Sequence, residues 1–197
     1  RYDDGALTAE MGLFLINFNN QYDSNQTNDT VTARGKTRHS GLEAQTRYAL
    51  GELSPALDNL SVYASYAYVN AEIREKGDTY GNQVPFSPKH KGTFGVDYKP
   101  GSWTFNLNGD FQSSQFADNA NTVAESADGS TGRIPGYMLW GARVAYDFGP
   151  QMANLNLALG VKNIFDHAYY TRSYDDNNKG LYAGQPHTLY LQGSMKF

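Results

Sequence analysis

Polarity alternates residue by residue along most of this chain, and the polar side of the alternation is too wet to be the inside of a soluble protein. From Asn59 to Asn70, Leu60, Val62, Ala64, Tyr66 and Tyr68 share one face of an extended strand, with Ser61, Tyr63, Ser65 and Ala67 on the other. Trp103, Phe105, Leu107, Gly109 and Phe111 alternate in the same way with Thr104, Asn106, Asn108, Asp110 and Gln112. Two further runs repeat the pattern, Tyr137 to Phe148 and Asn154 to Lys162, with Arg143 and Asp147 on the polar side. A soluble β-sandwich, the competing architecture, turns its polar face to water and packs its apolar face inside. Strands that set an apolar face against lipid and a hydrated face against a water-filled lumen fit these runs better, so the expected fold is an all-β, transmembrane antiparallel β-barrel.

Such strands keep average hydropathy low, and the mean hydropathy here is −0.60. No apolar stretch reaches the ~18 residues that a transmembrane helix needs, which excludes helical insertion. Zero Cys removes a disulfide framework and thiolate metal sites. A formal net charge of −4 provides no basic footprint, so a nucleic-acid partner is not expected.

Four less regular segments complete eight expected strands: Met11 to Tyr22, Arg38 to Leu50, Lys89 to Lys99 and His187 to Phe197. Both faces of Met11 to Phe18 are apolar, so the pattern alone does not orient that strand. Short turns are expected at Asp3-Asp4-Gly5, Lys99-Pro100-Gly101 and Phe148-Gly149-Pro150, with a somewhat longer one from Gly51 to Asn59. Long polar connections run about Asp23 to Thr32, Glu75 to Pro88, Ala117 to Pro135 and Ala168 to Pro186. Turns on one rim and loops on the other match the periplasmic and extracellular ends of outer-membrane barrels. Tyr48, Trp103, Phe148 and Tyr169-Tyr170 are candidates for the interfacial aromatic girdles. Arg1-Tyr2, running straight into Asp4-Gly5, reads as the end of a preceding strand.

Linear motifs for chemistry are weak. Asp175-Asp176-Asn177-Asn178-Lys179-Gly180 superficially resembles a calcium loop, but Lys179 and Pro186 stand where an EF-hand requires ligands. His39, His90, His167 and His187 have no helical i, i+4 pairing and no neighbouring Cys. No Gly-x-Ser-x-Gly elbow or phosphate-binding loop occurs, so an enzyme would have to assemble its site across strands; none is expected.

Three stretches carry a family resemblance: Val84-Pro85-Phe86-Ser87-Pro88-Lys89-His90-Lys91, Gly160-Val161-Lys162-Asn163-Ile164-Phe165-Asp166 with Tyr169-Tyr170, and Leu189 to Phe197. They resemble the late barrel strands of TonB-dependent outer-membrane receptors. Loop stretches, Glu72 to Gly81, Asp118 to Val123, Arg172 to Gly180 and Tyr22 to Arg38, resemble the branch of that family that takes up ferric citrate. What the resemblance implies is that residues 1–197 are the last eight strands of a barrel of about 22 strands, the plug domain and earlier strands lying outside this sequence. It further implies residence in the bacterial outer membrane, contact with lipid and lipopolysaccharide, and TonB–ExbB–ExbD coupling through the N-terminal region.

In that branch citrate is held by arginines of earlier loops and by side-chain amides of later ones. Gln26 and Asn177 fall on the amide positions, and an amide donates to a carboxylate or hydroxyl without losing the hydration of a charge. No protein-ligated cofactor or metal is implied, because citrate oxygens already satisfy iron(III). Asp23, Asp29, Asp118, Asp128, Asp175 and Asp176 form an acidic loop set unsuited by itself to an anionic chelate. Arg34, Lys36, Arg38, Arg133, Arg172 and Lys179 lie near the outer rim, facing either the cargo or lipopolysaccharide phosphates. The alternative reading is a small structural or adhesive barrel closed by these eight strands alone.

Overall fold

The structure is a computed structural model that describes residues 1–25, 30–127, 131–174 and 180–195, and the side chains of all of these except 20–25, 30–34 and 172–174. Nine strands form one antiparallel sheet: β1 (Tyr2–Asp3), β2 (Leu7–Asn25), β3 (Thr30–Ala49), β4 (Leu60–Ile73), β5 (His90–Tyr98), β6 (Trp103–Gln112), β9 (Tyr137–Asp147), β10 (Asn156–Lys162) and β13 (Thr188–Ser194). Each pairs with its neighbour in that order. Two hairpins lie within the long connections, β7 (Gln115–Phe116) with β8 (Arg133–Ile134), and β11 (Tyr170–Tyr174) with β12 (Gly180–Ala183). Among the described residues β1 pairs only with β2 and β13 only with β10, so the sheet does not close on itself as a small eight-stranded barrel would.

Register explains how the two faces stay separate. Leu42 sits between Leu13 and Tyr68, Val96 between Val62 and Leu107, and Val144 between Phe105 and Leu159, so apolar residues line up across the sheet on one face. Many of them stay exposed, among them Leu13 at 77% and Leu159 at 52%, which in a membrane is a lipid-facing band. At the short-turn end this face carries an aromatic belt: Trp103 meets Tyr146 at 4.8 Å, Tyr146 meets Phe148 at 4.8 Å, and Tyr98 stacks on Phe105 at 6.1 Å. Toward the other end Tyr66 stacks on Phe111 and hydrogen-bonds His90 Nδ1 at 2.7 Å. These are the two girdles expected of a membrane barrel.

The opposite face is a hydrogen-bonded polar wall. Arg47 lies over the Tyr63 ring and donates to Ser61 Oγ at 2.9 Å and to Asp97 Oδ2 at 2.7 Å. Asn106 Nδ2 reaches Asp97 Oδ1 at 2.8 Å and Tyr63 Oη at 3.0 Å, while Asp110 accepts from Thr93 and Asn108. Most of these bonds run between strands, and they help so wet a surface hold its shape. The small dry core lies at the loop end of this face, where Ala71, Ile73 and Val84 pack with Val69.

β2, which the pattern could not orient, is settled by its neighbour. Met11, Leu13 and Leu15 face lipid, and Phe14 turns inward over Gly41. A Cβ at Gly41 would stand 2.0 Å from the Tyr68 carbonyl oxygen and 2.8 Å from Phe14 Cζ, whereas one at Gly12 would meet nothing within 4 Å. Backbone cannot yield as a side-chain tip can. Gly41→Ala in the full-length protein is therefore expected to cost about 1–3 kcal/mol, and Gly12→Ala to be nearly neutral. Urea midpoints in detergent check the difference.

Candidate ligand-binding rim

Three long connections, residues 74–89, 113–136 and 163–187, leave the same end of the sheet, the end at which β2 and β3 extend to Asn25 and Thr30. The short links 4–6, 50–59, 99–102 and 148–155 occupy the other. A ligand approaching the polar lumen from the loop side would meet the first set.

Those connections are tied to one another by side-chain amides. Asn121, in the left-handed region at φ 56°, accepts from Gln83 N at 2.7 Å and donates to Gln83 O at 2.8 Å, holding both backbone groups of one residue as a strand neighbour would. Asn82 Nδ2 donates to Asn119 O at 2.9 Å, and Phe86 N to Phe116 O at 2.9 Å. The Asp118 carboxylate receives Thr122 N, Thr122 Oγ1 and Gly132 N. Asp118 therefore holds its own loop, and its negative charge is spread over three donors.

The last connection is anchored in two places. Asn163, 4% exposed and at φ 50°, donates to His167 O and Gln185 O and accepts from His167 N at 2.9 Å. Asp166 Oδ1 accepts from His187 N at 2.8 Å. Higher up, Gln115 is 3% exposed and donates from Nε2 to Thr171 O at 2.8 Å, joining the β7–β8 hairpin to the base of β11. Tyr170 donates to Glu125 Oε1 at 3.1 Å; burial, then that hydrogen bond and the carboxylate charge, hold its phenol pKa above the ordinary value, so it stays a donor.

The sequence-derived assignments fare unevenly. Gln26 and Asn177 lie outside the described residues, as does the stretch read as a calcium-like loop from Asp175 to Lys179. Their flanks are defined: Asn25 pairs with Thr30, and Tyr174 with Gly180, so both hairpins rise from the loop rim. Tyr169 and Tyr170 are not girdle residues. The Tyr169 ring packs at a tilt against Tyr137 of the polar face, centroids 4.4 Å apart, and its hydroxyl accepts from Gln185 N. Reasoning from sequence missed the clamping roles of Asn121 and Gln115, since a loop amide gives no periodic signal.

Below the rim a groove of about 540 Å³ runs along the polar face, with Glu10, Glu43, Gln45, Lys91 and Asp110 on its walls. Gln45 Nε2 donates to Glu10 Oε2 at 3.0 Å across it.

Known proteins match this arrangement. The family model described as TonB dependent receptor-like, beta-barrel matches residues 1–164. The crystal structure of the unliganded ferric citrate transporter FecA superposes with a TM-score of 0.91 at 87% identity, covering 100% of this chain and 30% of that one. The metal-pseudopaline receptor CntO of Pseudomonas aeruginosa is 26% identical over 198 residues, 98% of this chain and 26% of its own length. The ferrichrome outer membrane transporter/phage receptor of Escherichia coli is 26% identical over 169 residues, 83% of this chain and 20% of its own. The chain thus spans about a quarter of the length of the curated relatives it matches. With its lipid-facing band, polar lumenal wall and asymmetric rims, and with the family model covering most of its length, the chain belongs to the β-barrel of the TonB-dependent receptors of the bacterial outer membrane.

Proposed function

We propose that this chain is the C-terminal part of the barrel of a receptor that binds ferric citrate at the cell surface and imports it by TonB-dependent active uptake. The observation that carries the reading is 87% identity, over the whole chain, to a protein described as a ferric citrate transporter. Even if every differing position fell in the long connections, most of their residues would still be shared, and loops are where receptors for different cargoes diverge. The unclosed sheet supports a larger barrel, because strand edges within hydrocarbon need partners. The earlier strands, the plug and the TonB–ExbB–ExbD contact belong to the remainder of the receptor.

In this reading Gln26 and Asn177 donate amide hydrogen bonds to citrate oxygens, and the arginines that balance its charge come from earlier loops. Iron travels as the chelate and is cargo. The deciding experiment is uptake of radiolabelled iron citrate into cells whose sole ferric citrate receptor is the full-length protein. Uptake above that of a receptor-null strain is expected, and uptake equal to it would sink the idea. In the purified receptor Asn177→Ala is expected to weaken ferric citrate binding by about 1–3 kcal/mol, the cost of an unpaired desolvated partner, with barrel assembly unchanged on a heat-modifiability gel.

Gln115 should act at one remove. Gln115→Met preserves volume but leaves Thr171 O without its donor, loosening the base of the hairpin that carries Asn177. A loss of about 1 kcal/mol in chelate affinity is expected, from faster dissociation, and it should largely vanish in an Asn177→Ala background. Titration of the four proteins in a double-mutant cycle measures that coupling.

A further inference from the structure

A second cavity, of about 350 Å³, lies on the polar face at the foot of the last long connection, between β6, β9 and β10. Register sets Gly160 between Arg143 and Tyr190, and Arg143 between Gly160 and Asn106. A Cβ at Gly160 would stand 2.2 Å from the Tyr190 ring, so the bare backbone there gives that ring its seat. Lys162, two residues along the same face, is the diagonal neighbour of Arg143, about 7–8 Å away between backbones. Its ammonium lies 5.8 Å from the centre of the Tyr190 ring. Arg143 and Lys162 thus line one small cavity, and Tyr169 and Gln185 close it on the side of the loops.

Arg47, on the same face, shows how this wall treats a structural cation: Asp97, Ser61 and the Tyr63 ring all answer it. Arg143 and Lys162 are different. Among the described residues no carboxylate pairs with either of them, and the half-buried Arg143 guanidinium has no hydrogen-bond partner. The acids of the adjoining wall are engaged elsewhere. Asp97 accepts from Arg47 and Asn106, Asp110 from Thr93 and Asn108, and Asp147 from Gly149 N. Two neutral donors beside the cations remain available. Tyr169 Oη accepts from Gln185 N, which leaves its own proton to give, and the Gln185 side-chain amide has no partner among the described residues.

We propose that Arg143 and Lys162 form a second anion site on the lumenal wall, a station that takes carboxylates of the polycarboxylate chelate after it leaves the rim. The proposal rests on the ferric citrate reading above. Position favours the cargo as the ligand: Asn163, Tyr169 and Gln185 line the cavity and also anchor the connection that carries Asn177. A chelate released by that hairpin meets this cavity next. The guanidinium fork matches two carboxylate oxygens and the ammonium a third, with Gln185 and Tyr169 as neutral donors beside them. Lys162 is exposed, so water weakens its attraction and lets the anion move on. A station on a path must hold its passenger less tightly than the site that captured it.

The test compares the full-length protein with its double variant Arg143→Gln/Lys162→Gln, each as the sole ferric citrate receptor of the cell. Maximal uptake of radiolabelled ferric citrate per receptor at the surface should fall about tenfold, the order expected for losing two charge-assisted contacts. Equilibrium affinity of the purified proteins for ferric citrate should not change, because the rim is intact, and the urea midpoint in detergent should not move. Arg143→Lys/Lys162→Arg keeps both charges and should recover most of the rate. The single variant Arg143→Gln should give an intermediate loss, and it decides the matter if the double variant assembles poorly. A wild-type rate in the neutral variants overturns the proposal, as does an equal loss in the variant that keeps the charges. So does a lowered urea midpoint with a protease-sensitive plug, since the cations would then pair with a carboxylate of the plug. If the wild type itself imports no ferric citrate, the transport reading fails and this proposal with it. Wild-type import with unchanged variants removes the proposal alone.

Discussion

A chain that crosses hydrocarbon has no water to satisfy its peptide groups, so every N–H and C=O must find another strand. That requirement sets the rest of this structure. It forces an antiparallel ladder in which β2 to β6, β9, β10 and β13 each lean on a neighbour, and the period of two then sends alternate side chains to opposite environments. Once one face is given to lipid, the other can be as polar as it likes provided its groups answer one another. Arg47, Tyr63, Asp97 and Asn106 do so across four strands.

The same rule explains which parts could be read from sequence. Within the membrane one face must be apolar, so β4, β6, β9 and β10 announce themselves by strict alternation, and their expected bounds lie within two residues of the observed ones except that β4 runs three residues past Asn70 to Ile73. Above the membrane neither face need be apolar. Residues 23–25 and 30–32 therefore read as loop although β2 and β3 continue through them, reaching Asn25 and Thr30. β7, β8, β11 and β12 escaped for the same reason and because they are short. The orientation of β2 was hidden for a different cause: Phe14 is apolar on the inner face because Gly41 leaves it a seat, a fact of a neighbouring strand that no local pattern records.

The candidate site was legible in outline, as a rim of long polar connections, but the chemistry of its members was not. An acidic loop residue counts as a repelling charge in sequence. In the structure Asp118 receives three donors of its own loop, Asp166 receives His187 N, and Glu125 receives Tyr170. Asp118, one of the acidic loop residues that make the rim look hostile to an anion, is an internal fastener, as are Asp166 and Glu125 in the long connections. The amides that matter most to loop geometry, Asn121, Gln115 and Asn163, look like any other polar loop residues until their partners are seen.

The strict neighbour-to-neighbour order of the sheet also bears on how it comes to be built. Six of the eight pairings join strands across links of 16 residues or fewer, so the search for a partner is largely local and contact order stays low for an all-β structure. The breaks in that economy are β6 to β9 and β10 to β13, where the chain makes a long excursion before returning to the sheet. Closing loops roughly six times longer than the β5–β6 turn costs about 1–2 kcal/mol more in chain entropy. The amide clamps and the β7–β8 and β11–β12 hairpins shorten those excursions from within, so structure formed in the loops helps the late strands find their register.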